Sequence, residues 1–115
     1  MRPSLLRWQL EGYPEFHRTR MNLWLHIVFV PAFIGSTLSL LVGLATLSPV
    51  RAVTALVGMA IAFAVQGFGH KREPTPAIPF AGAGDAVTRI FAEQFVTFPR
   101  FVLSGGWARA LRAAS

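Results

Sequence analysis

The chain has 115 residues, enough for one domain, and no cysteine, which excludes disulfides, thiolate metal sites and cysteine nucleophiles. It is 53% hydrophobic and only 14% charged, a balance that disfavours an ordinary soluble domain. Eleven Lys and Arg against five Asp and Glu make it basic, but these charges flank apolar runs instead of gathering on one polar face. No nucleic-acid partner is expected; the pattern suits arginines held at an anionic bilayer surface.

The opening stretch MRPSLLRWQLEGYPEF has positive charge but only two adjacent leucines before Arg7 and no small-residue cleavage site, so it reads as a retained surface segment over residues 1–21. From Leu23 to Val50 the only ionisable side chain is His26, and from Ala52 to Phe68 there is no charge. A helix crossing the hydrocarbon core needs about 20 mostly apolar residues, with about 17 as the lower limit. Two membrane helices are therefore predicted, over about 23–48 and 52–70, joined at LSPVR by a tight turn. Arg2, Arg7, Arg18 and Arg20 before the first run and Lys71, Arg72, Arg89, Arg100, Arg109 and Arg112 after the second outnumber the lone Arg51 at the turn. This bias predicts a hairpin with both termini in the cytoplasm. Pro31 removes a backbone donor inside the first run and predicts a kink, with the residues before it forming a short helix of their own.

After His70, KREPTPAIPFAGAG is too rich in Pro and Gly to be regular, so 71–84 is predicted as a loop and Asp85 as the cap of a helix over about 85–104. In that helix Val87, Ile90, Phe91, Gln94, Phe95, Phe98, Phe101 and Val102 recur at spacings of three and four. Arg89, Glu93, Thr97 and Arg100 fall elsewhere on the wheel. An amphipathic interfacial helix is expected, interrupted by Pro99 and ended by Gly105-Gly106. The fold class is all-α: a membrane helical hairpin with an N-terminal surface helix and a C-terminal amphipathic interfacial helix, in a single domain of residues 1–115. One short hairpin buries little surface, and self-association into a homo-oligomer is a reasonable expectation.

The chemistry rests on the three histidines. If the turn centres near Val50, the level matching His70 lies near residue 30, and His26 is four residues further out, roughly 6 Å at 1.5 Å per residue. His17 approaches from the same aqueous side. His17 and His26, nine residues and about 900° apart, can both face His70 only if the helix breaks between them. Asn22 either caps the membrane helix or, at four residues from His26, orients it by a hydrogen bond. Gln66 and Glu73 could share the face of His70, and Gly67 and Gly69 allow a neighbouring helix close. Three imidazoles, or two and a carboxylate, suit non-haem Fe(II) and also zinc. Ligation of haem by two histidines is a rival, although no Cys-x-x-Cys-His is present for covalent attachment. Read singly, each histidine is an interfacial anchor; Trp8, Tyr13, Trp24 and Trp107 read as belt residues, and Arg72 and Arg100 either contact phospholipid or hold a substrate carboxylate. A non-catalytic hairpin that organises lipids is the remaining rival.

YPEFHRTRMNLWLHIVFVP, with Tyr13, His17, Asn22, His26 and Pro31, and QGFGHKREPTPA, with Gln66, Gly69, His70, Glu73 and Pro76-Ala77, resemble the two signatures of a membrane family typified by the fungal 2-hydroxy fatty acid dioxygenase of phytosphingosine breakdown. IFAEQFVTFPRFVLSGGW is similar to bacterial members of that family long described only as a domain of unknown function. The resemblance spans most of residues 13–107. It implies an Fe(II)-dependent dioxygenase that shortens 2-hydroxy long-chain fatty acids by one carbon with molecular oxygen, in a multi-pass protein of the bacterial inner membrane. It further implies that His17, His26 and His70 are the iron-binding or catalytic residues.

Overall fold

The computed structural model describes residues 4–115, so Arg2 lies outside the described residues. The protein is all-helical, with no strand among the described residues. In chain order the elements are α1 (Leu5–Phe16), α2 (Arg20–Ala45), α3 (Pro49–Lys71), α4 (Ala83–Ala92), a π-helical turn (Glu93–Thr97), α5 (Phe98–Leu103) and α6 (Gly106–Ala113).

α2 and α3 form the hairpin, and both are long and apolar enough to cross a membrane. Only 17% and 22% of their apolar windows are buried, so most of both apolar surfaces is left uncovered by the rest of the described chain. Val28, Leu38, Leu41, Leu44, Val53, Leu56 and Ile61 are each more than half exposed. Pro31 does not split α2, which runs unbroken from Arg20 to Ala45, so the expected separate short helix does not form. Ser48 caps α3 by accepting from the Arg51 N–H, and Pro49 occupies the first helical turn, where its missing donor costs nothing. The two helices touch closely at glycines. A Cβ on Gly43 would stand 2.9 Å from the Ala52 nitrogen. A Cβ on Gly69 would run into the Asn22 amide. Gly69→Ala is therefore expected to destabilise the protein by about 1–3 kcal/mol, the range for overpacking, measurable as a lower denaturation midpoint in detergent.

The remaining helices collect at the open end of the hairpin. Tyr13, Leu23, Val30, Phe98 and Phe101 make the buried apolar cluster there, with Leu10, Ile27, Ile34 and Trp107 packed around it. The C-terminal segment does not simply lie on a surface. It wedges between α1 and the hairpin, with Gln94 reaching α3 on one side and Thr97 donating to the Gln9 side chain on the other. Its helix starts at Ala83, two residues before the expected cap. Asp85 sits in the first turn and accepts from the Ala81 N–H.

Gly105-Gly106 ends α5 as expected, with Gly105 at φ +84°, in the left-handed region. Beyond it α6, absent from the sequence expectations, folds back. Trp107 Nε1 donates to the Leu23 carbonyl, and Ser115 and Arg20 pair through their backbones. Gly106 has to be glycine because a Cβ would press into Phe101.

Candidate metal centre

Three short devices bring the site together. The first is the break between α1 and α2. His17 lies at the end of α1 with φ −134°, outside the helix, and the new helix is capped by Thr19, whose hydroxyl accepts from the Asn22 N–H. The cap is thus Thr19 and not Asn22, and the interruption frees His17 from the opposite-face constraint. The second is the hairpin register. The turn centres on Leu47, leaving His26 21 residues before it and His70 23 after it. The expected offset of about 6 Å shrinks to about 3 Å at 1.5 Å per residue.

The third is the π turn. Pro99 has no N–H for the Phe95 carbonyl, and its ring would crowd that carbonyl in an α-helix. The chain instead widens, with Phe98 N–H donating to the Glu93 carbonyl five residues back. A wheel drawn at a constant 100° per residue puts Glu93 and Thr97 about 100° away from Gln94 and Phe98. In the widened turn, wedged on both sides, Gln94, Thr97 and Phe98 are buried and Glu93 points inward.

His17, His26, His70 and Glu93 each offer a ligand atom, and these four atoms lie within 4.8 Å of one another. The three imidazoles stand nearly perpendicular, at 80–89°, with ring centres 4.6–5.0 Å apart. Glu93 Oε2 is 3.6 Å from His26 Nε2 and 3.9 Å from His17 Nε2.

The tautomers follow from the neighbours. His17 Nδ1 is 2.8 Å from the Tyr13 carbonyl and His26 Nδ1 is 3.0 Å from the Asn22 carbonyl. A carbonyl only accepts, so both Nδ1 atoms carry the proton and donate. In neutral rings both Nε2 atoms are then bare lone pairs, and they face each other at 3.4 Å. Two facing lone pairs repel unless a cation stands between or beside them. Bonds of about 2.0–2.2 Å from a single ion to imidazole and carboxylate ligands would place neighbouring donors at about this spacing. His70 Nδ1 is a further buried atom with no hydrogen-bond partner. The donor set therefore fits a divalent transition metal.

Charge and hydrogen bonding hold the donors ready. Burial, then the neighbouring His26 and His70, push His17 well below its ordinary value, so it is a neutral imidazole at pH 7. Burial alone would raise Glu93; charge on His26 or His17, with the Tyr13 hydroxyl, lowers it to about 2, and with both rings neutral the Tyr13 hydroxyl at 2.6 Å still favours the carboxylate. Burial and the adjacent Glu93 push Tyr13 well up, so it stays a phenol donor. Tyr13 is buried, not a belt residue: it donates to Glu93 Oε2 at 2.6 Å and stacks on His17 at 3.8 Å. Its place resembles that of the outer-sphere partners that orient metal ligands, whose loss costs about 10–100-fold in affinity. Tyr13→Phe is accordingly expected to weaken metal binding by about that factor in a chelator competition, with the helical content unchanged.

The other candidates fall in different places. Glu73 is not the fourth donor. Its carboxylate accepts from the Arg18 and Thr19 N–H groups, the Thr19 hydroxyl and the Asn22 amide at 2.7–3.1 Å, over the positive end of α2. Asn22 meets His26 through its backbone carbonyl, while its side chain donates to Glu73. Gln66 exchanges two hydrogen bonds with Gln94 at 2.9 and 2.8 Å, linking α3 to the turn that carries Glu93. Arg72 lies over the Phe68 ring, and neither Arg72 nor Arg100 reaches the site cavity.

Glu93 was the residue missed in sequence. The signal was a lone carboxylate in the aromatic middle of the last predicted helix, and an irregular loop before that helix hid its distance from the histidines. A cavity of about 530 Å³ opens beside the cluster, bordered by His17, His70 and Glu93 and otherwise mainly by apolar side chains such as Phe16, Phe63, Ile78 and Ile90. Comparison with family models, curated proteins and solved structures finds no match to this chain.

Proposed function

We propose that the protein is an Fe(II)-dependent dioxygenase of the bacterial inner membrane that shortens 2-hydroxy long-chain fatty acids by one carbon. The observation that carries this reading is the convergence of three imidazoles and one carboxylate beside an apolar cavity at the open end of a membrane hairpin, with His17, His70 and Glu93 on its wall and His26 buried behind them. The motif resemblance to the dioxygenase family supplies the reaction. The excess of basic residues at the open end over the lone Arg51 at the turn supports a cytoplasmic side for both termini and for the site.

The overall reaction takes a 2-hydroxy acid and dioxygen to the acid one carbon shorter, carbon dioxide and water. The C1–C2 bond breaks, C2 becomes the new carboxyl carbon, and dioxygen accepts four electrons. His17, His26, His70 and Glu93 would hold the iron, which when bound supplies the open positions and one-electron chemistry that dioxygen needs to react with a closed-shell acid. The chain does the rest. The Tyr13 and Asn22 carbonyls fix which ring nitrogen is free, the Tyr13 hydroxyl fixes the carboxylate, and Phe16 and Phe63 keep the cavity poor in water.

The same donors suit zinc, and metal analysis separates the two. Haem fits poorly, because the nearest nitrogens are 3.4 Å apart with two further donors beside them, leaving no slot for a porphyrin plane. A purely structural hairpin gives no reason to bury the His17 and His26 lone pairs face to face at 3.4 Å. The purified protein is expected to carry about one iron per chain and to convert 2-hydroxypalmitate to pentadecanoate with uptake of oxygen. Iron-loaded protein that leaves 2-hydroxypalmitate intact would overturn the assignment.

A further inference from the structure

We propose that the α3 face made by Phe63, Gly67 and Lys71 is the subsite for a long-chain carboxylic acid, with Lys71 reading the carboxylate and the chain lying over Gly67 toward Phe63. The proposal rests on the functional reading above in placing substrate in this cavity, and it adds which end goes where and which residues select it.

All three residues line the cavity. They stand four residues apart, on one face of α3, so the cavity follows that face for about 12 Å, from the helix end into the apolar span. Gly67 is the gap in that face: a Cβ there would meet nothing within 4 Å, in contrast to Gly69, where it would strike Asn22. The two glycines, so alike in sequence, divide the work. Gly69 admits a neighbouring helix and Gly67 leaves room for a ligand.

The charges on the wall point to an anionic head. Glu73 accepts four hydrogen bonds, and Glu93 is engaged by Tyr13 and the imidazoles. Arg89 is spent on Asp85 and on the Ile78 and Pro79 carbonyls, and it lies against the Trp8 and Phe80 rings. Lys71 also lines this wall and has no acidic partner within ion-pair distance among the described residues. It is the next residue after His70, at the end where the metal donors converge. A carboxylate beside it sits within reach of the cluster, while an alkyl chain of the same ligand extends along the apolar wall.

The test uses metal-stripped protein in phosphatidylcholine nanodiscs, so that chelation contributes nothing, and measures binding of palmitate and of 1-hexadecanol. Wild type should prefer palmitate by about tenfold, the scale of one charge-assisted contact. Lys71→Gln should abolish that preference and Lys71→Arg keep it. Gly67→Leu should weaken both ligands by tenfold or more while iron content on reloading stays at the wild-type level. If Gly67→Leu fails to load iron, Gly67→Val fills the same void with less bulk and takes its place. Undiminished binding to the filled variant, or an acid preference that survives Lys71→Gln, overturns the subsite. Both outcomes leave iron content and oxygen uptake free to judge the dioxygenase reading separately.

Discussion

His26→Ala should strip the protein of its metal. His26 is fully buried, its Nδ1 is locked to the Asn22 carbonyl, and its Nε2 lies 3.4 Å from His17 Nε2 and 3.6 Å from Glu93 Oε2. Among the described residues no further His, Asp or Glu joins the group of His17, His26, His70 and Glu93. Losing an outer-sphere partner costs about 10–100-fold in affinity, so losing this ligand should cost more than about 100-fold. The effect should appear twice. Metal content after purification should fall from about one per chain to near zero. The stabilisation on adding iron, about 4 kcal/mol at a thousandfold excess over Kd, should vanish with it. A variant that still shows the metal-dependent rise in Tm would mean that the cluster is held for packing alone.

Glu73→Ala should be the most destabilising single change outside the cluster. The side chain is 8% exposed, and its two oxygens satisfy the Arg18 N–H, the Thr19 N–H, the Thr19 hydroxyl and the Asn22 amide. Truncation leaves these donors without their acceptor at a buried helix start, where each unsatisfied group costs about 1–3 kcal/mol; water entering the space recovers part of that. A net loss of about 3–5 kcal/mol is expected. Glu73 also ties the segment after α3 to the break that holds His17, so metal affinity should fall with stability. Glu73→Gln should recover only part of both, because its amide nitrogen would confront donors where an oxygen is needed. Denaturation midpoints of the three proteins in one detergent, with and without metal, check the order.

How much of this was legible beforehand follows from what each feature depends on. The hairpin and the shared level of His26 and His70 depend on run length and rise per residue, which the chain displays directly. The break that releases His17 was required by helical phase, yet its capping residue was not readable, because Thr19 and Asn22 are both good caps and tertiary contact with Glu73 decides between them. Glu73 and Glu93 exchanged roles for a related reason. Proximity to His70 made Glu73 the natural carboxylate candidate, but four donors from the α2 start claim it. Glu93 sits at the start of the turn that widens before Pro99 and is wedged between α1 and the hairpin, and a wheel of constant pitch shows neither the widening nor the wedge. The last helix was missed since Gly105-Gly106 reads as an end, and only the fit of Trp107 against the Leu23 carbonyl shows it to be a corner. Tyr13 read as a belt residue because Glu93, Phe98 and Phe101, which bury it, lie far away in sequence.

The central claim is that His17, His26, His70 and Glu93 share one ion. Iron K-edge absorption on anaerobically purified protein tests it most directly. One iron per chain is expected, with three imidazole nitrogens and a carboxylate oxygen at about 2.0–2.2 Å. Stoichiometric iron without imidazole scattering, or protein that binds no metal while its helices are intact, would contradict it.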